Sequence, residues 1–159
     1  MYQSKPSEVG NFRPRVTVAV LAQREGRLLF VEERDDRGML VINQPAGHVE
    51  GGESLIEAAI RETLEETGWT VRPEYLVGCY LWGSPDRTLS YLRVAIAACP
   101  ERHDAAAPLD AGIARALWLA PEELAACRER HRSPLVLRCV ADYLAGERYP
   151  LSLFKTLPS

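Results

Sequence analysis

Residues 47–69 read GHVEGGESLIEAAIRETLEETGW, and this stretch decides the fold. Gly47, Glu53, Arg61, Glu62, Glu65, Glu66 and Gly68 fit the pattern G-x5-E-x7-R-E-U-x-E-E-x-G-U, where U is a bulky residue. Each of these residue types has a background of roughly 5–7%, so their joint occurrence at set spacing is almost never accidental.

Within the stretch, Ser54-Leu55-Ile56-Glu57 has the form of a capping box. The serine hydroxyl accepts from the third helical amide, and the glutamate reaches back to the cap. Gly68 is a left-handed terminator, so the spacing predicts a helix from about Leu55 to Thr67. At about 100° per residue, Ile56, Ile60, Thr63, Leu64 and Thr67 collect on one side. Glu62, Glu65 and Glu66 collect on the other, with Ala58 and Ala59 as small neighbours. The expectation is that the apolar side packs on a core and the carboxylates face a shared open space.

An acidic face is expensive when nothing sits on it. Glutamates at i,i+3 and i,i+4 each cost a few tenths of a kcal/mol on an exposed helix. Partly desolvated, two carboxylates about 5 Å apart repel by roughly 3 kcal/mol at an effective dielectric near 20. A divalent cation removes that penalty, and hard oxygen ligands suit Mg²⁺ or Mn²⁺ rather than zinc. The plain alternative is a solvated face with Arg61 paired to Glu65. The full spacing, with Gly47 and Glu53 fixed upstream, argues against it.

On these residues the stretch is identified as the signature box of the Nudix hydrolases. The resemblance implies an α/β fold with a mixed β-sheet sandwiched between α-helices. It also implies a hydrolase of phosphoanhydride bonds that uses Mg²⁺, with Mn²⁺ able to substitute. The family's metal-binding carboxylates map onto Glu62, Glu65 and Glu66, and the main-chain carbonyl contributed before the box maps onto Ala46. Gly47, lacking a side chain, allows close approach there. Arg61 would orient the cluster through charge-assisted hydrogen bonds. Glu53 would be a further ligand or an organiser. Thr63 and Trp69 stand where aliphatics are usual, in slots that only pack.

The resemblance extends from Phe12 to Leu153. FRPRVTVAV, INQPAGHVE, RSPLV and GERYPL are similar to the small bacterial Nudix phosphatases of the NudJ type. That branch implies removal of terminal phosphate from thiamine pyrophosphate, hydroxymethylpyrimidine pyrophosphate and nucleoside di- and triphosphates. Other readings stay open: an oxidised nucleotide, ADP-ribose or a dinucleoside polyphosphate as substrate, a nucleotide-binding module without turnover, or a structural domain with a solvated acidic helix. The intact Glu62, Glu65 and Glu66 argue against the last two. Asp104 and Asp110 are candidates for an extra acid that the family often supplies before the position of Trp118. Many relatives carry it two residues later, where this chain has Gly112.

Composition describes an ordinary globular chain: 159 residues, 47% apolar and 26% charged. One domain is expected over residues 13–159, preceded by a flexible arm over 1–12. A net charge of −3 gives no footprint for nucleic acid or membranes, so the expected partner is a small pyrophosphate or nucleotide. The chain would act as a monomer or homodimer. With no apolar leader or membrane-length run, a reduced cytoplasmic setting is the expectation. Cys79, Cys99, Cys127 and Cys139 show no metal-ligand spacing, and Cys79 and Cys99 are expected to be buried thiols.

Alternation predicts strands over 16–20 and 27–33 joined by a turn at Glu25-Gly26. Long strands follow at 71–82 and 89–98, split by a turn at Ser84-Pro85-Asp86, and then a loop over 100–108. A further strand spans 114–119, a short helix opens at Pro121, and a last helix runs over 134–144. Asn43 and Gln44 enter the box directly and are candidate substrate contacts; the alternative is a turn serving its own backbone. Tyr80 and Trp82 share a strand face and either stack on a substrate ring or pack in the core, as Trp118 does. His48, His103 and His131 have no partner at ligand spacing and receive no catalytic role. Arg128, Arg130, His131 and Arg132 either meet an anion or form a solvated helix end.

Overall fold

Strand β1 (Arg15–Arg24) is the axis of the fold. It turns at Glu25-Gly26 into β2 (Arg27–Arg34), its hairpin partner. β3 (Leu40–Asn43) extends the sheet beyond β2, and β4 (Ala46–His48) returns to pair antiparallel with β1, setting Thr17 against His48. After helix α1 (Leu55–Thr67) come β5 (Trp69–Gly83) and β6 (Ser90–His103), an antiparallel pair. β6 then lies parallel to β1 from Arg15 opposite Tyr91 to Ala22 opposite Ala98. β7 (Ile113–Leu119) closes against β2. The computed structural model describes residues 13–84 and 88–157, and its sheet is mixed, with the order β3-β2-β1-β6-β5.

Alternation along β1 and β6 sends side chains to two cores. Val18, Val20, Ala22, Val94 and Ile96 meet Ala58 and Ala59 of α1 on one face. Leu21, Phe30, Ala95 and Ala97 meet α2 (Pro121–Ala126) and α3 (Leu135–Leu144) on the other, through Leu124, Val136 and Val140. Helices therefore cover both faces of a mixed sheet, as the sequence leads one to expect. No helix among the described residues is long and apolar enough to cross a membrane.

Several boundaries differ from the sequence reading. β6 continues through Pro100 to His103, into the stretch expected to be loop, because β5 starts at Trp69 and pairs with it throughout. Ser84 donates its amide to the Leu89 carbonyl at 2.9 Å; Pro85 and Asp86 of the expected turn, and the arm over 1–12, lie outside the described residues. The cysteine expectation is corrected. Cys79 is exposed, on the outermost strand β5, and Cys99 is half-buried on β6 just past the end of its pairing with β1; the buried thiol is Cys139, on α3.

The orientation of α1 also needs correcting. Ser54 and Glu57 do form the capping box, and Gly68 does end the helix at φ 71°. The buried arc, however, is Ala58, Ala59, Glu62, Thr63, Glu66 and Thr67, while Leu64 is 38% exposed. Ala58 and Ala59 pack in the core instead of flanking an open acidic face. Their small side chains let the helix lie close to the sheet. Thr63 and Thr67 take part in burial because their hydroxyls bond back to the Ala59 and Thr63 carbonyls. Glu62 and Glu66 thus point toward the sheet rather than away from it.

A Cβ at Gly68 would lie 2.6 Å from the main-chain oxygen of Asp104, in a conformation already costly for an L side chain. Gly68→Ala should destabilise the fold by about 2 kcal/mol or more, lowering Tm by roughly 4–8 °C. Thermal unfolding checks this, and an unchanged Tm would mean that the loop after β6 yields without cost.

Candidate active site

Arg61 organises the acid face. Its Nε and Nη2 donate to the two Glu53 oxygens at 3.0 and 2.7 Å, and Nη1 donates to Glu62 at 2.9 Å and Glu65 at 3.0 Å. Nη2 also reaches the His48 carbonyl of β4 at 3.0 Å. Glu53 receives the Glu50 amide at 2.7 Å besides, so its carboxylate is fully engaged, and the Arg61 bond holds its pKa below the ordinary value. Glu53 therefore sits as the brace of Arg61, one step removed from the other acids.

Glu62 and Glu66 face β4. Any side chain at residue 47 would collide with Glu62: a Cβ on Gly47 would lie 2.1 Å from its carboxyl carbon. Glu66 Oε2 accepts the Ala46 amide at 2.9 Å. Burial raises the Glu62 pKa and pushes Glu66 up to about 8, against the lowering effect of the Ala46 bond, with Glu62 and Asp110 as repulsive neighbours.

Asp110 completes the cluster. One carboxylate oxygen from each of Glu62, Glu65 and Asp110 lies within 4.8 Å of the others. The loop carrying Asp110 is tied to the end of α1 at two points: the Asp110 amide donates to the Glu65 carbonyl at 3.0 Å, and the Asp104 amide donates to the Gly68 carbonyl at 2.9 Å. Those bonds satisfy carbonyls that a helix end leaves without partners. Asp104 caps its own turn through the Ala106 amide and stays exposed, away from the acids.

These acids line a cavity of about 890 Å³ that passes β4 to the sheet face bearing Thr17, Tyr91 and Arg93. Trp82 and Tyr91 stack there with ring centroids 6.0 Å apart. Asn43 lines the cavity and donates to Glu33 at 3.1 Å. Gln44 is buried beneath it, its amide tied to the Val136 carbonyl at 2.8 Å. Tyr80, expected beside Trp82, lies under α3 instead, where its hydroxyl donates to Asp142 at 2.9 Å. Trp118 packs edge-on against Trp69 at the core, and His103 stacks on Trp69. Arg130 pairs with the buried Glu32, whereas His131 and Arg132 reach the cavity. Tyr91, Arg93 and Glu33 escaped the sequence reading. The available signal for Arg93 was a lone charge inside the apolar run of β6.

Residues 11–139 match the NUDIX domain family model. The chain is 40% identical over 142 residues to the phosphatase NudJ of Escherichia coli K12, covering 89% of this chain and 91% of that one. A solved NUDIX hydrolase from Nitrosomonas europaea superposes with a TM-score of 0.89 at 42% identity, covering 91% of this chain and 98% of that one. A UDP-X diphosphatase superposes with a TM-score of 0.68 at 18% identity, over 90% and 68% of the two chains, a likeness of fold alone. The chain belongs to the Nudix hydrolase family and is a hydrolase acting on pyrophosphate bonds. Within that family it is a NudJ-like phosphatase.

The raised Glu66 pKa has a consequence for stability. The unfolded chain releases this proton near pH 4.5 and the folded one near 8, so the stabilisation is full below about 4.5 and is lost as pH rises toward 8. His131, lowered by burial, acts in the opposite sense only below its ordinary value of 6.5. In chelator, Tm should therefore fall between pH 7 and 8, and Glu66→Gln should flatten that fall. Equal slopes in both proteins, followed by calorimetry, would contradict the assignment.

Proposed function

We propose that this protein is a Mg²⁺-dependent phosphatase, with Mn²⁺ able to substitute, that removes terminal orthophosphate from organic pyrophosphates. Thiamine pyrophosphate, hydroxymethylpyrimidine pyrophosphate and nucleoside di- and triphosphates are its substrates. The observation that carries this reading is the convergence of Glu62, Glu65 and Asp110 at one wall of the cavity. The 40% identity to a phosphatase NudJ supports the choice of branch. Residues 13–159 form the single catalytic domain, acting in the cytoplasm as a monomer or homodimer.

The residues present fit a hard divalent cation. Three carboxylates offer oxygens to one point, no His or Cys joins them among the described residues, and the glycine cradle leaves the Glu62 carboxylate its place. Glu62, Glu65, Asp110, the Glu66 oxygen not bound to Ala46 and the Ala46 carbonyl would hold the ion. Once bound, a divalent ion neutralises charge on the diphosphate oxygens and acidifies the attacking water. The protein's own share is positioning. Arg61 fixes two of the carboxylates, and Glu53 fixes Arg61. Glu62, whose Oε1 is engaged by Arg61, has Oε2 left to serve as a ligand or, instead, as the base that takes the proton from water, and the raised pKa that burial gives it strengthens it as a base. Trp82 and Tyr91 offer a stacking wall for the substrate ring.

A panel of thiamine pyrophosphate, GTP, GDP and ADP-ribose, assayed with and without Mg²⁺, tests the reaction. Orthophosphate from thiamine pyrophosphate, only with metal, is the expected product. Pyrophosphate from GTP, or cleavage of ADP-ribose alone, would keep the family and overturn the branch. Glu65→Gln and Glu66→Gln should each reduce kcat by about 100-fold or more with the fold retained. Near-normal turnover in both would remove the metal-site assignment.

A further inference from the structure

Arg93 is a charge out of place. It lies in the middle of β6, is only 8% exposed, and makes no ion pair among the described residues. Its Nη1 has two long contacts to neutral amide oxygens, Asn43 Oδ1 at 3.4 Å and Gln44 Oε1 at 3.3 Å, and its Nε has no partner. Cys139 lies beside it, but burial pushes that thiol up to about 11, so it supplies no balancing charge at neutral pH. A guanidinium does not escape burial by losing its proton, and leaving it unpaired is destabilising.

Thr17 repeats the anomaly. Its hydroxyl is buried without a hydrogen-bond partner, and Thr17 and Arg93 are register partners in the parallel β1–β6 pair. Thus the orphaned buried side-chain atoms found among the described residues belong to adjacent residues on one wall of the active-site cavity. Their position orders the cavity. Thr17 is also paired with His48 of β4, next to Gly47 and the acids. Arg93 stands two residues from Tyr91, about 6.6 Å along the strand, where the ring stack begins.

We infer that Thr17 and Arg93 form an anion subsite for the phosphate that stays on the organic product, set between the acid cluster and the Trp82–Tyr91 stack. Both groups donate, and a phosphate oxygen accepts from both, which removes the two orphans at once. With the ring on the aromatic pair and the inner phosphate here, the outer phosphorus is left at the carboxylates. The placement of the inner phosphate rests on the reaction proposed above; the anion subsite itself does not.

The test uses the full chain in chelator, where no turnover occurs, with inorganic phosphate and thiamine monophosphate as probes read by thermal shift. Wild type should be stabilised in a dose-dependent way. Thr17→Val, which removes only the hydroxyl, and Arg93→Lys should each weaken apparent affinity about tenfold, while Thr17→Ser retains it. Arg93→Met should raise the phosphate-free Tm, as expected for removal of an unpaired buried charge, and abolish the response. No phosphate response in wild type, or a wild-type response in folded Thr17→Val, overturns the subsite and assigns the orphans to water. If Arg93→Lys fails to fold, Thr17→Val decides alone. Failure of thiamine pyrophosphate hydrolysis with metal would sink the reaction and leave this binding result standing.

Discussion

The side chain of Arg61 meets Glu53, Glu62 and Glu65 together with the His48 carbonyl, and so joins the loop before α1, the helix itself and β4. Much of the site follows from that junction. Acids at i,i+3 and i,i+4 repel, and turned inward they repel harder, so a half-buried helix of this sequence requires a cation threaded among them. Arg61 meets the need only in part. It engages Glu62 and Glu65 by one oxygen each and leaves Glu66 to a main-chain amide. The remaining negative charge is what the helix would offer to a hard cation.

Burial sharpens this imbalance on both sides of the cavity. On the α1 side, carboxylates sit where water would otherwise screen them, and their pKa values rise. Across β4, Arg93 is buried without a direct ion pair among the described residues, and desolvation lowers its pKa against the pull of the more distant Glu33 and Glu66. Each half is destabilising alone in the protein without ligands, and the two halves are complementary to a cation bound to a polyanion. Strain of this electrostatic kind is a usual cost of a preorganised site.

Sequence made the local rules visible. Ser54, Glu57 and Gly68 act through bonds within a few residues, so the limits of α1 could be read from them, and the Glu25-Gly26 hairpin likewise. The orientation of α1 could not be read that way. Helical periodicity separates Ile56, Ile60 and Leu64 from the acids, but which side turns inward depends on Ala58 and Ala59 lying flat on β1 and β6 and on Gly47 making room for Glu62. Those are relations between distant strands. Asp110 reached the cluster for a similar reason: its place is set by a bond to the Glu65 carbonyl, not by its distance in sequence from Trp118. Tyr80 and Trp82 share a pattern yet part company because α3 covers one and not the other.

The two ties between α1 and the loop after β6 have a wider meaning. Asp104 is pinned to the Gly68 carbonyl and Asp110 to the Glu65 carbonyl, so the intervening residues hang between fixed posts. The geometry of the acid cluster is thereby insulated from the length of that segment. Residues 105–109 span the interval between the two ties, next to the acid cluster. Extra length there would loop out between the posts while the Asp110 amide kept its bond to the Glu65 carbonyl, so the acid cluster and the span beside it can vary independently.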